Sequence, residues 1–263
     1  MKIVVTVKEV AVLDEEFELL EDRPGVEPDA IEWDLNEWDN FSLEEAFQLR
    51  EAAGDGEVVV VSVGGEEAED GLRACLAKGA DRAVRIWDDA LEGADPLAVA
   101  RVLTPAVARE SPDLVLCGVQ SSDGVHSATG VALAEHLGLP RVAVVKALDY
   151  DAGAGTAAVE RELEGGLVEL LRVRLPALLT IQTGINEPRY ATLRAIKQAK
   201  EKQLDVVGLG DLGLDSGAVE AAAGARVRSM THPDTGEGAE MLDGPAPEVA
   251  ARIAEIVKER MTG

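Results

Sequence analysis

Four short aliphatic runs, each followed by a polar turn and a segment of helical periodicity, limit what this chain can fold into. They are Lys2–Val7 (Lys-Ile-Val-Val-Thr-Val), Val58–Val63, Arg82–Trp87 and Leu114–Cys117, with a fifth at Val142–Leu148. β-branched runs that do not alternate with polar residues mark strands buried on both faces, as in a parallel sheet. The segments between them carry helix punctuation. Ser42 and Glu45 read as an S-x-x-E capping box for a helix whose apolar face is Leu43, Ala46, Phe47 and Ala53, up to Gly54. Glu69–Ala77 precedes Gly79, Pro96–Arg109 opens on proline, and Val131–Leu137 is closed by Gly138 and Pro140. Residues 9–40 read as acidic and irregular. The alternation predicts an α/β fold, a Rossmann-like doubly wound parallel sheet with helices on both faces. Ligands of such sheets sit beyond the carboxyl ends of the strands, so Thr6, Val63 and Gly118 are expected to converge.

The fourth run opens into Gly118-Val-Gln-Ser-Ser-Asp-Gly-Val-His-Ser-Ala-Thr-Gly130 and then a helix. Strand, glycine-containing loop and helix together present free backbone N–H groups and a helix N-terminus to an anion. The hydroxyls of Ser121, Ser122, Ser127 and Thr129 add donors. Asp123 would repel a phosphate and suits a ribose hydroxyl or a backbone amide. The spacing is neither a P-loop nor GxGxxG, so on spacing alone an ordinary strand-to-helix connection stands beside the nucleotide reading.

Composition narrows the classes. The 263 residues allow one large α/β domain or one with an appendage, and 46% hydrophobic with 3% aromatic residues means an aliphatic, alanine-rich core. Fifty acidic residues face 17 Arg and 8 Lys, for a net charge of −25. Such a lysine-poor surface suits a salt-saturated cytosol and points to a halophile. It argues against nucleic acid, which demands a basic patch. No apolar run nears the length of a membrane span, and Lys8-Glu9 breaks the first one, so no membrane insertion and a cytoplasmic location are expected. Cys75 and Cys117 read as buried small hydrophobes. His126, His136 and His232 lack partners at ligand spacing, so no metal is assigned. Ser121 and Ser122 lack a nucleophile elbow, and no catalytic side chain is assigned.

Beyond residue 150 the pattern changes. Ala157–Leu163 and Leu170–Leu175 alternate around Gly165-Gly166, an added antiparallel hairpin, and Ala177–Ile181 is another apolar strand. From Arg189 to Lys202 five residues are basic and one is acidic. A solvated helix face explains such a run, and so does a docking site for an acidic partner. Residues 203–244 are rich in Gly and Asp with few periodic positions, and Pro245–Met261 reads as a terminal helix on an extended arm.

At Leu175-Pro-Ala-Leu-Leu-Thr-Ile-Gln-Thr-Gly-Ile-Asn-Glu-Pro-Arg-Tyr-Ala-Thr-Leu193 the sequence resembles the beta subunit of electron transfer flavoprotein. The likeness includes Val5-Thr-Val-Lys8, Asn36 with Leu43-Glu-Glu-Ala46, Lys78-Gly-Ala-Asp-Arg82, Asp95-Pro-Leu-Ala-Val-Ala-Arg-Val-Leu103, the 118–130 loop and Val159-Glu-Arg-Glu-Leu-Glu-Gly-Gly166. Residues beyond about 205 match poorly. The resemblance implies an adenine nucleotide alpha hydrolase-like fold over 1–205, with a partner-recognition loop at about 184–202. An arm and terminal helix at 206–263 would wrap an alpha subunit.

It also implies FAD held mainly by alpha and AMP as a structural ligand of beta, or a second FAD in the same beta pocket in a bifurcating branch. The contacts would be Thr6, Asn36, Val63, Gly118, Gln120, Ser121, Ser122, Asp123, Gly124, Ser127, Thr129 and Gly130. Asp123-Gly124 looks like the bifurcating branch. Asp95-Pro-Leu-Ala-Val-Ala lacks the paired threonines that branch offers its FAD, and Ala191-Thr192-Leu193 looks like the AMP branch; the balance favours AMP. Leu193 would be the tip of a recognition loop for acyl-CoA or related dehydrogenases, with Arg189, Arg194, Lys197 and Lys200 around it; a core leucine at a helix start is the other reading. Glu162 would orient the mobile flavin domain, or simply face solvent. The implied role is a non-catalytic electron carrier in fatty acid oxidation that passes electrons to a quinone oxidoreductase. A stand-alone adenine-nucleotide-binding protein or hydrolase on the same fold is the remaining alternative.

Overall fold

The computed structural model describes residues 1–14, 17–232, 238–239 and 241–262. Within residues 1–228, a first compact unit, the aliphatic runs form the expected parallel strands: β1 (Lys2–Thr6), β4 (Glu57–Val63), β5 (Arg82–Ile86) and β6 (Leu114–Gly118). Together with β7 (Arg141–Asp151), β8 (Thr156–Glu162), β9 (Val168–Arg174), β10 (Ala177–Ile181) and β11 (Leu204–Val207) they make one nine-stranded sheet. Its order is β11-β5-β4-β1-β6-β10-β7-β8-β9. All pairs from β11 to β7 are parallel, and β8 and β9 continue the sheet antiparallel. From β1 the chain moves out through β4 and β5 on one side and to β6 on the other, with β10 inserted between β6 and β7; the change of direction at β1 leaves a crevice at the carboxyl ends of β1, β4 and β6.

Successive residues of each central strand enter opposite cores. Ile3, Val5, Val58, Val60, Leu114 and Leu116 meet α1 (Glu37–Ala53) and α2 (Ala68–Lys78) through Leu43, Phe47, Leu72 and Leu76. Val4, Val59, Val61 and Val115 meet α3 (Pro96–Glu110), α4 (Thr129–Leu137) and α6 (Ser216–Ala222) through Val102, Val107, Leu133 and Val219. Burial on both faces explains why these strands are unbroken aliphatic runs, each side chain contributing about 1.5–3 kcal/mol. At the amino ends of the strands, Arg82 donates to Glu57 at 2.6 Å through Nε and to Glu110 at 2.8 Å through Nη1.

Three sequence expectations are corrected. Residues 9–40 are not all irregular: β2 (Glu9–Leu13) pairs antiparallel with β3 (Ile31–Leu35) as a small separate sheet. The pairing joins segments far apart in sequence, so no short turn announced it. Ser42 and Glu45 do not cap a helix. The helix starts at Glu37 with Asn36 as its N-cap, Ser42 Oγ donates to the Trp38 carbonyl inside the helix, and Glu45 accepts from Asn186. Residues 203–222 are more regular than their composition suggests, since β11 extends the sheet beside β5 and α6 packs on the α3 face. The boundary placed at 205 thus falls inside β11. The second unit, residues 229–263, carries α7 (Ala246–Thr262), on which Ile253 and Val257 stand one turn apart. Part of the expected arm lies outside the described residues. Among the described residues no helix is long and apolar enough to cross a membrane.

Candidate functional site

The strand tips open into a cavity of about 630 Å³, within the range of small-molecule pockets. Thr6, Asn36, Val63, Gly118, Gln120, Ser121, Asp123, Gly124, Ser127, Thr129 and Gly130 line it. Of the residues expected at a nucleotide site, Ser122 alone is not in the lining; its N–H donates to Asn36 Oδ1 at 3.3 Å. Residues 93–96 and Val99 line it as well, in and beside the segment that the second-FAD reading singled out, and so do Lys8, Asp39, Leu103 and Ala225–Val227, which sequence reasoning missed.

The first turn of α1 holds the loop in place. Asn36 Nδ2 donates to the Gln120 carbonyl at 2.8 Å while Oδ1 takes the Ser122 amide. Asp39, 4% exposed, accepts the N–H of Lys8 at 2.8 Å and that of Gly118 at 3.0 Å. One carboxylate thereby joins the ends of β1 and β6. Burial pushes Asp39 up to about 7, and the N–H bonds from Lys8 and Gly118, with the Asn36 amide, pull the other way. Gly118 is required at this point: a Cβ there would lie 2.4 Å from Asp39 Oδ1 and 2.7 Å from Trp38 Cβ. An acidic residue in a first helical turn ordinarily serves the helix dipole, so nothing in the sequence marked Asp39 as a clasp.

The loop itself is held in one shape by its own contacts. Asp123 forms an ion pair with Lys8, which removes the carboxylate the sequence reading took as repulsive to phosphate. Ser127 Oγ donates to Gln120 Oε1 at 3.2 Å, and Ser121 Oγ accepts the Gly124 amide at 3.3 Å. Val125 and Ser127 both have φ of 52°, uncommon for non-glycine residues and costly for a β-branched one. No side chain caps α4, so its first N–H groups have no helical partner at the cavity wall. Val63, Val99, Leu103 and Cys117 supply the apolar wall. Cys75 and Cys117 are buried, and burial pushes both thiols up to about 12, far from a nucleophilic thiolate. Among the described residues no group of three or more His, Cys, Asp or Glu has the arrangement to hold a metal.

A second feature lies away from the cavity. Residues 184–192 run to α5 (Leu193–Ala199), which Thr192 caps by accepting the Ala195 amide at 3.2 Å. Leu193 is 81% exposed and Tyr190 96%, so Leu193 is not a core leucine. Arg194, Lys197 and Lys200 are exposed and make no ion pair among the described residues. Arg189 behaves differently. It donates to Glu44 through Nε at 2.8 Å and to Glu51 at 2.7 Å, and its guanidinium lies 4.9 Å from the Phe47 ring centre. Lys202 is likewise turned inward, donating to the carbonyls of Leu76 at 3.0 Å and Ala80 at 2.6 Å. Glu162 is exposed on β8 and accepts from Gln182 Nε2 at 3.3 Å; Gln182 Oε1 in turn accepts from Trp38 Nε1 at 3.0 Å.

Comparison with known proteins agrees with this architecture. Residues 26–212 match the model of the electron transfer flavoprotein domain. The chain is 51% identical over 261 residues to electron transfer flavoprotein subunit beta of Methylophilus methylotrophus, covering 98% of both chains. It is 36% identical over 247 residues to the protein of that name from Bacillus subtilis, covering 93% of both. For the human one the figures are 37% over 217 residues, 82% of this chain and 84% of the relative. With a shared nine-tenths of its length and half its residues identical to one relative, this chain belongs to the electron transfer flavoprotein beta-subunit family.

Proposed function

We propose that the chain is the beta half of a heterodimeric electron carrier and that its cavity holds AMP as a structural ligand. The carrying observation is the 630 Å³ cavity in which the 118–130 loop and the uncapped end of α4 meet the strand tips. Backbone amides of the loop, with the hydroxyls of Ser121, Ser127 and Thr129, would take the phosphate. Thr6 and Asn36 border the polar side, and Val63, Val99 and Leu103 offer an apolar slot for the base. Bound there, AMP would tie the ends of β1, β4 and β6 together and stabilise the scaffold by mass action. FAD, held mainly by the alpha subunit, supplies the redox chemistry. This chain's residues position it and its donors: Glu162 orients the flavin-bearing domain, and Leu193 with Tyr190 docks acyl-CoA or related dehydrogenases. Electrons pass on to a quinone oxidoreductase, as fatty acid oxidation requires, and the cytoplasm is the proposed location.

A second FAD in place of AMP is the other reading, supported by Asp123-Gly124. The wall beside Asp95 favours the smaller ligand. Ala225–Val227 line the cavity next to Asp95–Val99, the segment where the resemblance would need threonines for a flavin. The test is to co-express the chain with its alpha partner in high salt, denature the purified complex and count what is released. One FAD and one AMP per heterodimer is the expected result. Two FAD and no AMP would replace it with the bifurcating reading, and nucleotide hydrolysis by the chain without alpha would replace it with a hydrolase.

A further inference from the structure

The cavity wall at residues 224–227 is held by one carboxylate. Asp95 Oδ2 accepts the N–H of Gly224 at 2.7 Å and of Ala225 at 2.8 Å, while Oδ1 accepts that of Ala98 at 2.9 Å. Burial works against ionisation of Asp95, yet these three N–H donors outweigh it and hold the carboxyl below its usual value. Gly224 lies so close to Leu97 that a Cβ would stand 2.6 Å from Leu97 Cδ1. The result is a backbone laid across the amino end of α3 that presents Ala225, Arg226 and Val227 to the cavity.

Among the described residues, every charged side chain that lines that cavity has a partner except one. Asp39 is committed to the amides of Lys8 and Gly118, Asp95 to three amides, and Asp123 to the ammonium of Lys8. Lys8 is thereby neutralised. Arg226 makes no ion pair among the described residues, although acidic residues outnumber basic ones 50 to 25 in this chain. A doubly charged phosphate entering so acidic a protein needs a cation, and the planar guanidinium fork matches phosphate geometry. We propose that Arg226 is the phosphate-binding cation of this site, delivered by the Asp95-pinned wall, and that it makes the site select a nucleoside phosphate over the nucleoside. The proposal rests on the nucleotide reading above and names a residue that reading does not include.

The test compares wild type, Arg226→Gln and Arg226→Lys, each co-expressed with alpha and depleted of bound nucleotide, by titration with AMP and with adenosine. In Arg226→Gln, AMP binding is expected to weaken about tenfold to a hundredfold, the range of a hydrogen bond to a charged group. Adenosine binding stays unchanged, and Arg226→Lys recovers part of the loss. An AMP-to-adenosine ratio equal to wild type in Arg226→Gln, or equal weakening of both ligands, overturns the proposal. A wild-type complex that binds neither ligand overturns the nucleotide reading instead.

Discussion

The cavity and the 189–202 segment are both fastened by polar and charged side chains, yet they are fastened in opposite senses. At the cavity, Asp39 and Asp95 accept from backbone N–H groups, and Asn36 bonds both a carbonyl and an N–H, which turns polar groups inward around a hollow. At the segment, Arg189 and Lys202 reach back to Glu44 and to the end of α2, which pushes Tyr190 and Leu193 out into solvent. The first arrangement leaves a hollow lined by polar groups, and the second leaves apolar side chains exposed. The difference shows how a basic island divides: two of its cations anchor, while Arg194, Lys197 and Lys200 stay exposed without an ion pair among the described residues.

The sharpest way to break the contrast is Asp39→Ala. It removes the acceptor of the part-buried amides of Lys8 and Gly118, at about 1 kcal/mol each. A drop in unfolding free energy and loss of co-purifying nucleotide are expected, and an unchanged denaturation midpoint would show that the clasp is dispensable. Next is Arg189→Ala, which strands the buried Glu44 carboxylate and is expected to cost about 3 kcal/mol. Its pH dependence has a definite sign. Burial pushes Glu44 up, but hydrogen bonds from Arg189 and Gln48 outweigh it and leave its folded value below the ordinary one. A depressed carboxyl contributes stability above its unfolded value of about 4.3 and loses it as pH falls through the folded value. The gap between wild type and Arg189→Ala in urea unfolding should therefore be full at pH 6 and shrink below pH 4.

Leu193→Ala sharpens the comparison from the other side. At 81% exposure its loss should change stability by less than about 0.5 kcal/mol. Electron transfer from a dehydrogenase should slow by about tenfold, the effect of removing one apolar anchor; unchanged transfer in a stopped-flow assay would remove Leu193 from the docking surface. The smallest effect is expected from Lys197→Glu combined with Lys200→Glu. Stability should not move, while association with the dehydrogenase slows at low salt and recovers towards wild type as screening increases.

Much of the fold was legible because burial on both faces leaves an unmistakable record. Ile3-Val4-Val5 and Val58 to Val61 have no polar residue to spare, and the strand tips that follow had to converge. The 118–130 loop was legible for the same local reason, since strand, glycine, hydroxyls and helix are contiguous. The β2–β3 pair was not, because residues 9–13 and 31–35 meet only across a long acidic connection. The S-x-x-E reading failed because Ser42 and Glu45 match a local pattern that a helix already running from Glu37 overrides.

By itself, then, the sequence determined the α/β class, the parallel strands, the strand–loop–helix at 114–137, the aliphatic core and the excess of negative charge. These follow from periodicity and composition within a few residues, where the chain's own chemistry decides. Only the tertiary structure decided that Asp39 joins β1 to β6, that Asp95 carries residues 224–225 to the cavity, and that Arg189 faces inward while Leu193 faces out. Each of those depends on which groups lie within hydrogen-bond reach after segments as much as 145 positions apart are packed together, and a hydrogen bond is decided at about 3 Å, not by position along the chain.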